Sequence, residues 1–573
     1  MARTDVLLLH APAVYDFRLR RSLGGPVSDL VPSTPIFEMY PIGFLTLADF
    51  LEGNGYRVRI LNAAVRMLRS QKFDVARTLR DIEADVIGID LHWLVHAHGA
   101  LELASIAKSV NPRAHVVLGG LSTSYFHEDI IRNFNQVDFC LRGDSTEVPF
   151  LQLLGSLEGK RELGDVENLT WRDGRRIRVN RLTHVPETLD HIRLDYRRMV
   201  KMVFGSRDLA GHLPYLRWPD SPMTMALPFR GCVHNCLACG GSRRSFSSFL
   251  GRKGLALRRP SDIAEEISIA AELVSGPVFL VHDPRMAGNR FADELLSEIK
   301  ARATDARIIF EYFSPPPVQY IRRLAKAVPR FDVQMSPESH DESVRRAQGR
   351  IYSNTVLEKT LKRTVDAGCG RLDVFFMLGL SGQDRASVRE TVRYCGKLMA
   401  RHPKLSAFIS PLAPFIDPGS AAFEEPDKHG YKKLLNTFEE HRTALLAPTW
   451  KLALNYETVW MSRDDIAAAS YDAGLGLNRL KLELGRISKD EAAAVERRNR
   501  LSRAIMEHAD RAGALPDDRW IEAMSKREGL PDVGGIASLL VSEGELCSRS
   551  ELKWPSKGIR VGLAAVRALL GKL

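Results

Sequence analysis

Cys232, Cys236 and Cys239 are three of the chain's seven cysteines and fall within eight residues of one another. The stretch Phe229-Arg230-Gly231-Cys232-Val233-His234-Asn235-Cys236-Leu237-Ala238-Cys239-Gly240-Gly241 has C-x3-C-x2-C spacing. Three thiolates on one short loop can wrap an iron–sulfur cluster. Three ligands for four irons leave one iron open to a small molecule. Zinc is the competing reading, with His234 as a fourth ligand. His234 sits between Cys232 and Cys236, where so short a loop strains tetrahedral wrapping, and no second cysteine pair follows nearby. The spacing therefore favours a [4Fe-4S] cluster. An odd cysteine count in so long a chain argues against a disulfide framework and for a reducing compartment.

The elements that would position this loop are legible as strand and helix periods. Residues 223–415 hold six strand candidates, beginning near Met223, Val278, Ile308, Phe331, Leu372 and Leu405, with helices between them. Repeated strand–helix units predict a partial (β/α)6 barrel, whose sites gather at the strands' carboxyl ends. The cysteines follow the first of these strands. Upstream, residues 5–150 alternate strands with helices, which predicts a doubly wound, Rossmann-like parallel sheet. Residues 155–220 read as an insertion and linker, with a hairpin turning at Asp173-Gly174. Beyond 430 strand signals fade and helices dominate. The predicted division is 1–155, 156–222, 223–425 and a helical C-terminal domain at 426–573.

The cysteine loop resembles that of the radical S-adenosylmethionine (SAM) superfamily, whose C-x3-C-x2-C motif follows the first strand of a partial barrel. The resemblance implies that the open iron chelates SAM and that electron transfer yields a 5′-deoxyadenosyl radical. It also implies SAM contacts at Gly240 and Gly241, at Asp283 after Val278-Phe279-Leu280-Val281-His282, at Glu338 in Gln334-Met335-Ser336-Pro337-Glu338-Ser339, and at Arg350. Leu378-Gly379-Leu380-Ser381-Gly382-Gln383 resembles the family's glycine-bearing fifth-strand turn, without a charged ligand. Each polar residue named has an ordinary alternative as a cap or an ion-pair member.

The N-terminal segment is similar to the cobalamin-binding (B12-binding) subgroup of that superfamily. Pro41-Ile42-Gly43-Phe44-Leu45 through Gly55, Leu118-Gly119-Gly120, and Arg142-Gly143-Asp144 with Glu147 carry the resemblance. It implies a cobalamin site at His92, Trp93, Gly119, Gly120, Leu121 and Ser122. One departure is plain. Asp90-Leu91-His92 begins like the cobalt-ligating Asp-x-His-x-x-Gly motif, but Val95 stands where glycine is required, and the run follows a different strand. His92, Trp93, His96 and His98 still crowd one strand end. An ordinary polar loop, or a fold that has lost cobalamin, is the alternative.

Together the resemblances imply a cobalamin-dependent C-methyltransferase. Rearrangement, cyclisation or coupling, with or without cobalamin, is the second reading, and a non-catalytic Fe–S or cobalamin-binding protein the third. Methylthio transfer would call for further N-terminal cysteines, and Cys140 is alone there. The net charge of +11 and pI near 9.3 favour anionic partners. No basic tail or aromatic-interleaved patch points to nucleic acid. Arg243, Arg244, Arg252, Lys253, Arg258 and Arg259 form either an anion-attracting stretch or a solvated face. The amphipathic stretch Ile559–Leu573, with Leu563, Val566, Leu570 and Leu573 on one face, is read as docking on the protein or on a membrane. Together with the basic stretch it raises a lipid-like substrate beside an ordinary small molecule. With no apolar run near 20 residues, a cytoplasmic protein is expected, with peripheral membrane contact as a second reading and flavodoxin or ferredoxin as reductant.

Overall fold

The computed structural model describes residues 4–20, 22–25, 36–302, 304–412, 414–529 and 546–554. The amphipathic stretch at 559–573 lies outside the described residues. No described helix is long and apolar enough to cross a membrane.

The first sheet contains β1 (Val6–His10), β2 (Val58–Asn62), β3 (Val86–Asp90), β4 (His115–Gly119), β5 (Phe139–Leu141), β6 (Leu169–Asp173) and β7 (Arg176–Val179). Their order is β2-β1-β3-β4-β5-β6-β7. The first five are parallel, while β6 and β7 pair antiparallel. Side chains alternate faces along a strand. Leu7 and Leu9 accordingly join Ile87, Ile89, Val116 and Leu118 in one core, and Val6 and Leu8 join Ile60, Val86 and Val117 in the other. A parallel sheet covered on both faces needs such near-continuous apolar strands. The chain leaves β1 toward β2 on one side and β3 on the other, so a crevice opens at the strands' carboxyl ends. His10, Asp90 and Gly119 are the last residues of β1, β3 and β4. The hairpin at 169–179 turns at Asp173-Gly174, with Gly174 at φ +57. Rather than standing apart as an insertion, it extends this sheet beyond β5.

The second sheet is β15-β14-β13-β12-β11-β8, every neighbouring pair parallel. Its strands are β8 (Thr224–Ala226), β11 (Val278–Leu280), β12 (Ile308–Tyr312), β13 (Phe331–Glu338), β14 (Leu372–Leu378) and β15 (Leu405–Pro411). A short antiparallel pair, β9 (Phe229–Arg230) and β10 (Ala256–Leu257), holds the chain on either side of the cysteine loop. The outer helices are capped as their sequences direct. Ser353 caps Asn354–Asp366, and Ser488 with Glu491 forms a capping box on Lys489–Ala512. Beyond the barrel, β16 (Tyr431–Lys433) and β17 (Tyr456–Thr458) form a two-stranded sheet. Tyr431, Tyr456, Leu477 and Leu501 from this region share the barrel's own core with Val333, Val374 and Ile409.

Candidate active site

The cysteine loop leaves β9 through Gly231 at φ +98, where a Cβ would stand 2.9 Å from the Gly254 carbonyl oxygen. Only glycine turns there without a clash. The backbone amide of His234 points at Cys232 Sγ at 3.4 Å, and that of Gly241 at Cys239 Sγ at 3.3 Å. Burial pushes the Cys236 thiol up to about 11 and raises Cys232 as well. A metal must therefore displace the thiol protons as it binds. Among the described residues, only His10, Asp90 and His96 bring three metal-donor atoms within 4.8 Å of one another. The three cysteines and His234 are not such a group. His234 instead stacks on Phe313, with ring centroids 5.6 Å apart and planes 12° apart. Burial, with Arg350 and Arg285, pushes its pKa down to about 4, so its ring is neutral.

The expected SAM residues divide. Glu338 and Arg350 come together beside the cysteine loop. A register shift near the end of β13 precedes Glu338, which sits at φ +70. The Arg350 guanidinium donates to Glu338 Oε1 at 3.2 Å and to the Phe313 carbonyl at 3.2 Å. A Cβ on the adjoining Gly349 would lie 3.2 Å from the Asn235 carbonyl oxygen. Asp283 takes the ordinary alternative. It caps the Arg285 amide, pairs with the Arg285 guanidinium and is 2% exposed. The Gly241 amide serves Cys239, and the Gly240 amide donates to Asp417 Oδ2 at 3.0 Å. Sequence reasoning missed Glu311 on β12. Its carboxylate accepts the His282 amide at 2.8 Å, and burial, followed by Asp283, pushes its pKa up to about 7.

A cleft runs from the carboxyl end of the first sheet to the cysteine loop's base. Gly119, Gly120, Leu121, Asp90 and His92 line it on one side, and Arg230, Gly231, Phe246 and His282 on the other. Its empty space, counted to the solvent-open mouth, is about 1210 Å³. It extends between the sheet and the helices Gly43–Gly53 and Glu147–Leu157 as a slot walled by Leu8, Phe44, Val117 and Phe150. The two glycines differ. A Cβ on Gly119 would meet nothing within 4 Å, so its absence keeps the ledge open. Gly120 sits at φ +114, and a Cβ there would lie 2.5 Å from the His92 backbone. Trp93 and Ser122 do not line the cleft. Ser122 is buried, and Trp93 reaches toward the barrel.

Long-range contacts make the two sides one site. Trp93 Nε1 donates to Asp417 Oδ1 at 2.9 Å, while the other oxygen of Asp417 holds Gly240. Arg230 forks onto Glu147 at 2.6 and 2.8 Å. Burial works to raise the Glu147 carboxyl, but Arg230 together with the Thr46 hydroxyl and a backbone amide outweighs it and holds the pKa at about 2. Arg252 pairs with Asp144, and Arg258 with Glu266. Both arginines are buried, and Arg244 pairs with Glu425 at 2.6 Å. The basic stretch after the cysteines is thus largely spent on internal ion pairs, neither solvated throughout nor free for an anion.

Residues 31–149 match the B12 binding domain, and residues 227–395 match the Radical SAM superfamily. An uncharacterised methyltransferase of Pyrococcus horikoshii is 24% identical over 202 residues, 35% of this chain and 40% of that protein. Cytidylyl-2-hydroxyethylphosphonate methyltransferase of Streptomyces wedmorensis is 24% identical over 319 residues, 47% of this chain and 57% of that protein. The match therefore spans about half the length of these curated relatives. Among solved structures, the radical SAM methyltransferase TsrM of Kitasatospora setae, with cobalamin and a [4Fe-4S] cluster bound, aligns at TM-score 0.55 and 15% identity. That alignment covers 76% of this chain and 81% of TsrM. The cobalamin-dependent radical enzyme OxsB, with aqua-cobalamin bound, aligns at TM-score 0.56 and 10% identity, covering 100% of this chain and 84% of OxsB. At such identities the likeness is one of fold.

Proposed function

We propose that this chain, which belongs to the radical SAM proteins carrying a B12-binding domain, forms a 5′-deoxyadenosyl radical and methylates an unactivated carbon of a small-molecule substrate. The observation that carries this reading is the shared cleft, lined by the paired-glycine ledge of one sheet and by the base of the cysteine loop of the other. When bound, a [4Fe-4S] cluster would supply the electron that cleaves SAM, and cobalamin would supply a transferable methyl group.

The residues fit both groups. Cys232, Cys236 and Cys239 would hold the cluster, with the His234 and Gly241 amides directed at two of the sulfurs. Glu338 and Arg350, side by side next to the cysteine loop, would hold SAM. Arg350 carries the positive charge suited to a carboxylate. The ledge at Gly119 is a cradle that a side chain would fill. The apolar slot beside it suits the flat aromatic end of a nucleotide tail. His92 and Leu121 complete that wall. Asp417 and the Arg230–Glu147 pair fix the separation of the two walls and keep their buried polar groups satisfied. Val233, 42% exposed on the cysteine loop, leaves an approach for a one-electron donor such as flavodoxin or ferredoxin.

The test is anaerobic reconstitution with iron and sulfide, followed by reduction in the presence of methyl-labelled SAM. The reading expects a four-iron EPR signal, 5′-deoxyadenosine, retained cobalamin and label carried to cobalamin. Replacing any one of Cys232, Cys236 and Cys239 with alanine should abolish 5′-deoxyadenosine, to below about 1% of wild type. Unchanged nucleoside production by those variants would defeat the proposal.

A further inference from the structure

We infer that Nε2 of His92 is the protein's axial ligand to the cobalt of bound cobalamin. The inference rests on the cobalamin reading above and adds a role that the motif comparison leaves empty.

Four polar side chains meet where β1 and β3 end. His10 Nδ1 lies 2.9 Å from Asp90 Oδ1, and His92 Nδ1 lies 2.8 Å from Asp90 Oδ2. A carboxylate only accepts, so each of these imidazoles carries its proton on Nδ1. His10 Nε2 faces the Phe37 carbonyl at 3.2 Å, so both of its nitrogens are engaged with acceptors. His96 gives Nδ1 to the Ala11 carbonyl at 3.1 Å and leaves Nε2 with no partner, wholly buried. The rings pack closely, His10 to His96 at 4.8 Å and His92 to His96 at 5.1 Å between centroids.

Only one histidine of this group lines the cleft, beside Asp90. His10 and His96 are 0% exposed and His98 is 2%, whereas the His92 side chain is 29% exposed and lines the cavity. Its Nδ1 is turned to the buried Asp90. The exposed part of the ring therefore carries Nε2, the nitrogen that is not turned to Asp90. An imidazole nitrogen is the commonest protein ligand to a metal. A ligating histidine that donates its other N–H to a carboxylate is oriented and made more basic by it. Asp90 does this for His92 and is itself held by His10. Gly120 packs against the His92 backbone so closely that a Cβ would come within 2.5 Å of it, which fixes the ring's base beside the glycine ledge. The other histidine on the cleft, His282, belongs to the barrel side. It stacks face to face on Phe229 at 5.1 Å, with planes 7° apart, and no carboxylate orients it.

The test needs no turnover. Full-length protein is made with nitrogen-15 histidine, loaded with unlabelled hydroxocobalamin, reduced to the cobalt(II) state and examined by EPR. Cobalamin retained after gel filtration is measured first by absorbance. The expected result is an axial nitrogen splitting that is a triplet in unlabelled protein and a doublet in labelled protein. His92→Ala and His92→Gln should both lose that splitting. A triplet that persists in the labelled protein would mean that the cofactor's own benzimidazole nitrogen is the ligand, and would overturn the inference. So would the absence of nitrogen splitting, or a doublet that survives His92→Ala and vanishes in His282→Ala. Failure to retain cobalamin at all would overturn the cobalamin reading itself, which the absorbance step reports separately.

Discussion

Gly119 and Gly120 are neighbours with opposite reasons for lacking a side chain, and mutation separates them. Gly119→Leu places a side chain into open space. It should leave the thermal unfolding profile unchanged while cutting cobalamin retention at least about tenfold, a loss of roughly 1.4 kcal/mol in binding. Gly120→Ala combines a left-handed φ with a clash on the His92 backbone. It should cost about 2 kcal/mol or more of stability and be visible as earlier unfolding even without cofactor. The family resemblance marked both glycines as cobalamin contacts but could not assign the two roles. That distinction depends on what each absent Cβ would touch. The three cysteines were readable because their spacing is local. Asp283 shows the limit, since its type and strand-end position suited a ligand, yet Arg285, two residues on, pairs with it.

At the level of elements, strand positions were legible wherever apolar runs ended at polar or glycine breaks. Val278, Ile308, Phe331, Leu372 and Leu405 each begin a strand. The placement of the 169–179 hairpin was not legible, because pairing with β5 is decided by a partner thirty residues away. Asp417 is the sharper case. It follows β15, lies 324 residues from Trp93, and sits in no motif. Its importance arises only when the segment after β15 folds back on the cysteine loop, where the Asp417 amide also donates to the Ala238 carbonyl. Asp417→Ala would strand the Trp93 indole N–H and the Gly240 amide, at about 1–3 kcal/mol for each donor left buried and unpaired. The expected outcome is faster hydrogen exchange in residues 237–242 and loss of iron at chelator concentrations that wild type resists. Asp417→Asn keeps one acceptor and should be intermediate.

Across the whole molecule, the two sheets are joined by charge as well as by shape. The Glu147 carboxyl is held at about 2, against an ordinary value of 4.5. A depressed folded-state pKa contributes stability that is complete above 4.5 and is lost as pH falls from there toward 2. Unfolding by urea at pH 5 and at pH 3 should therefore show a drop in stability. Glu147→Gln should flatten part of that drop while being less stable than wild type at pH 7. Neither Arg230 nor Glu147 is remote from a motif, yet their pairing could not be foreseen, because 83 residues and an entire linker separate them.

The carboxylate after β15 also bears on how such proteins can be cut and recombined. The recognisable radical SAM region stops at residue 395, before β15 and before Asp417. A graft trimmed to that boundary would leave the transplanted metal loop without its brace, so a functional chimera has to carry the donor sequence past residue 422, where the loop's last backbone tether, Ala422 to Leu237, is made.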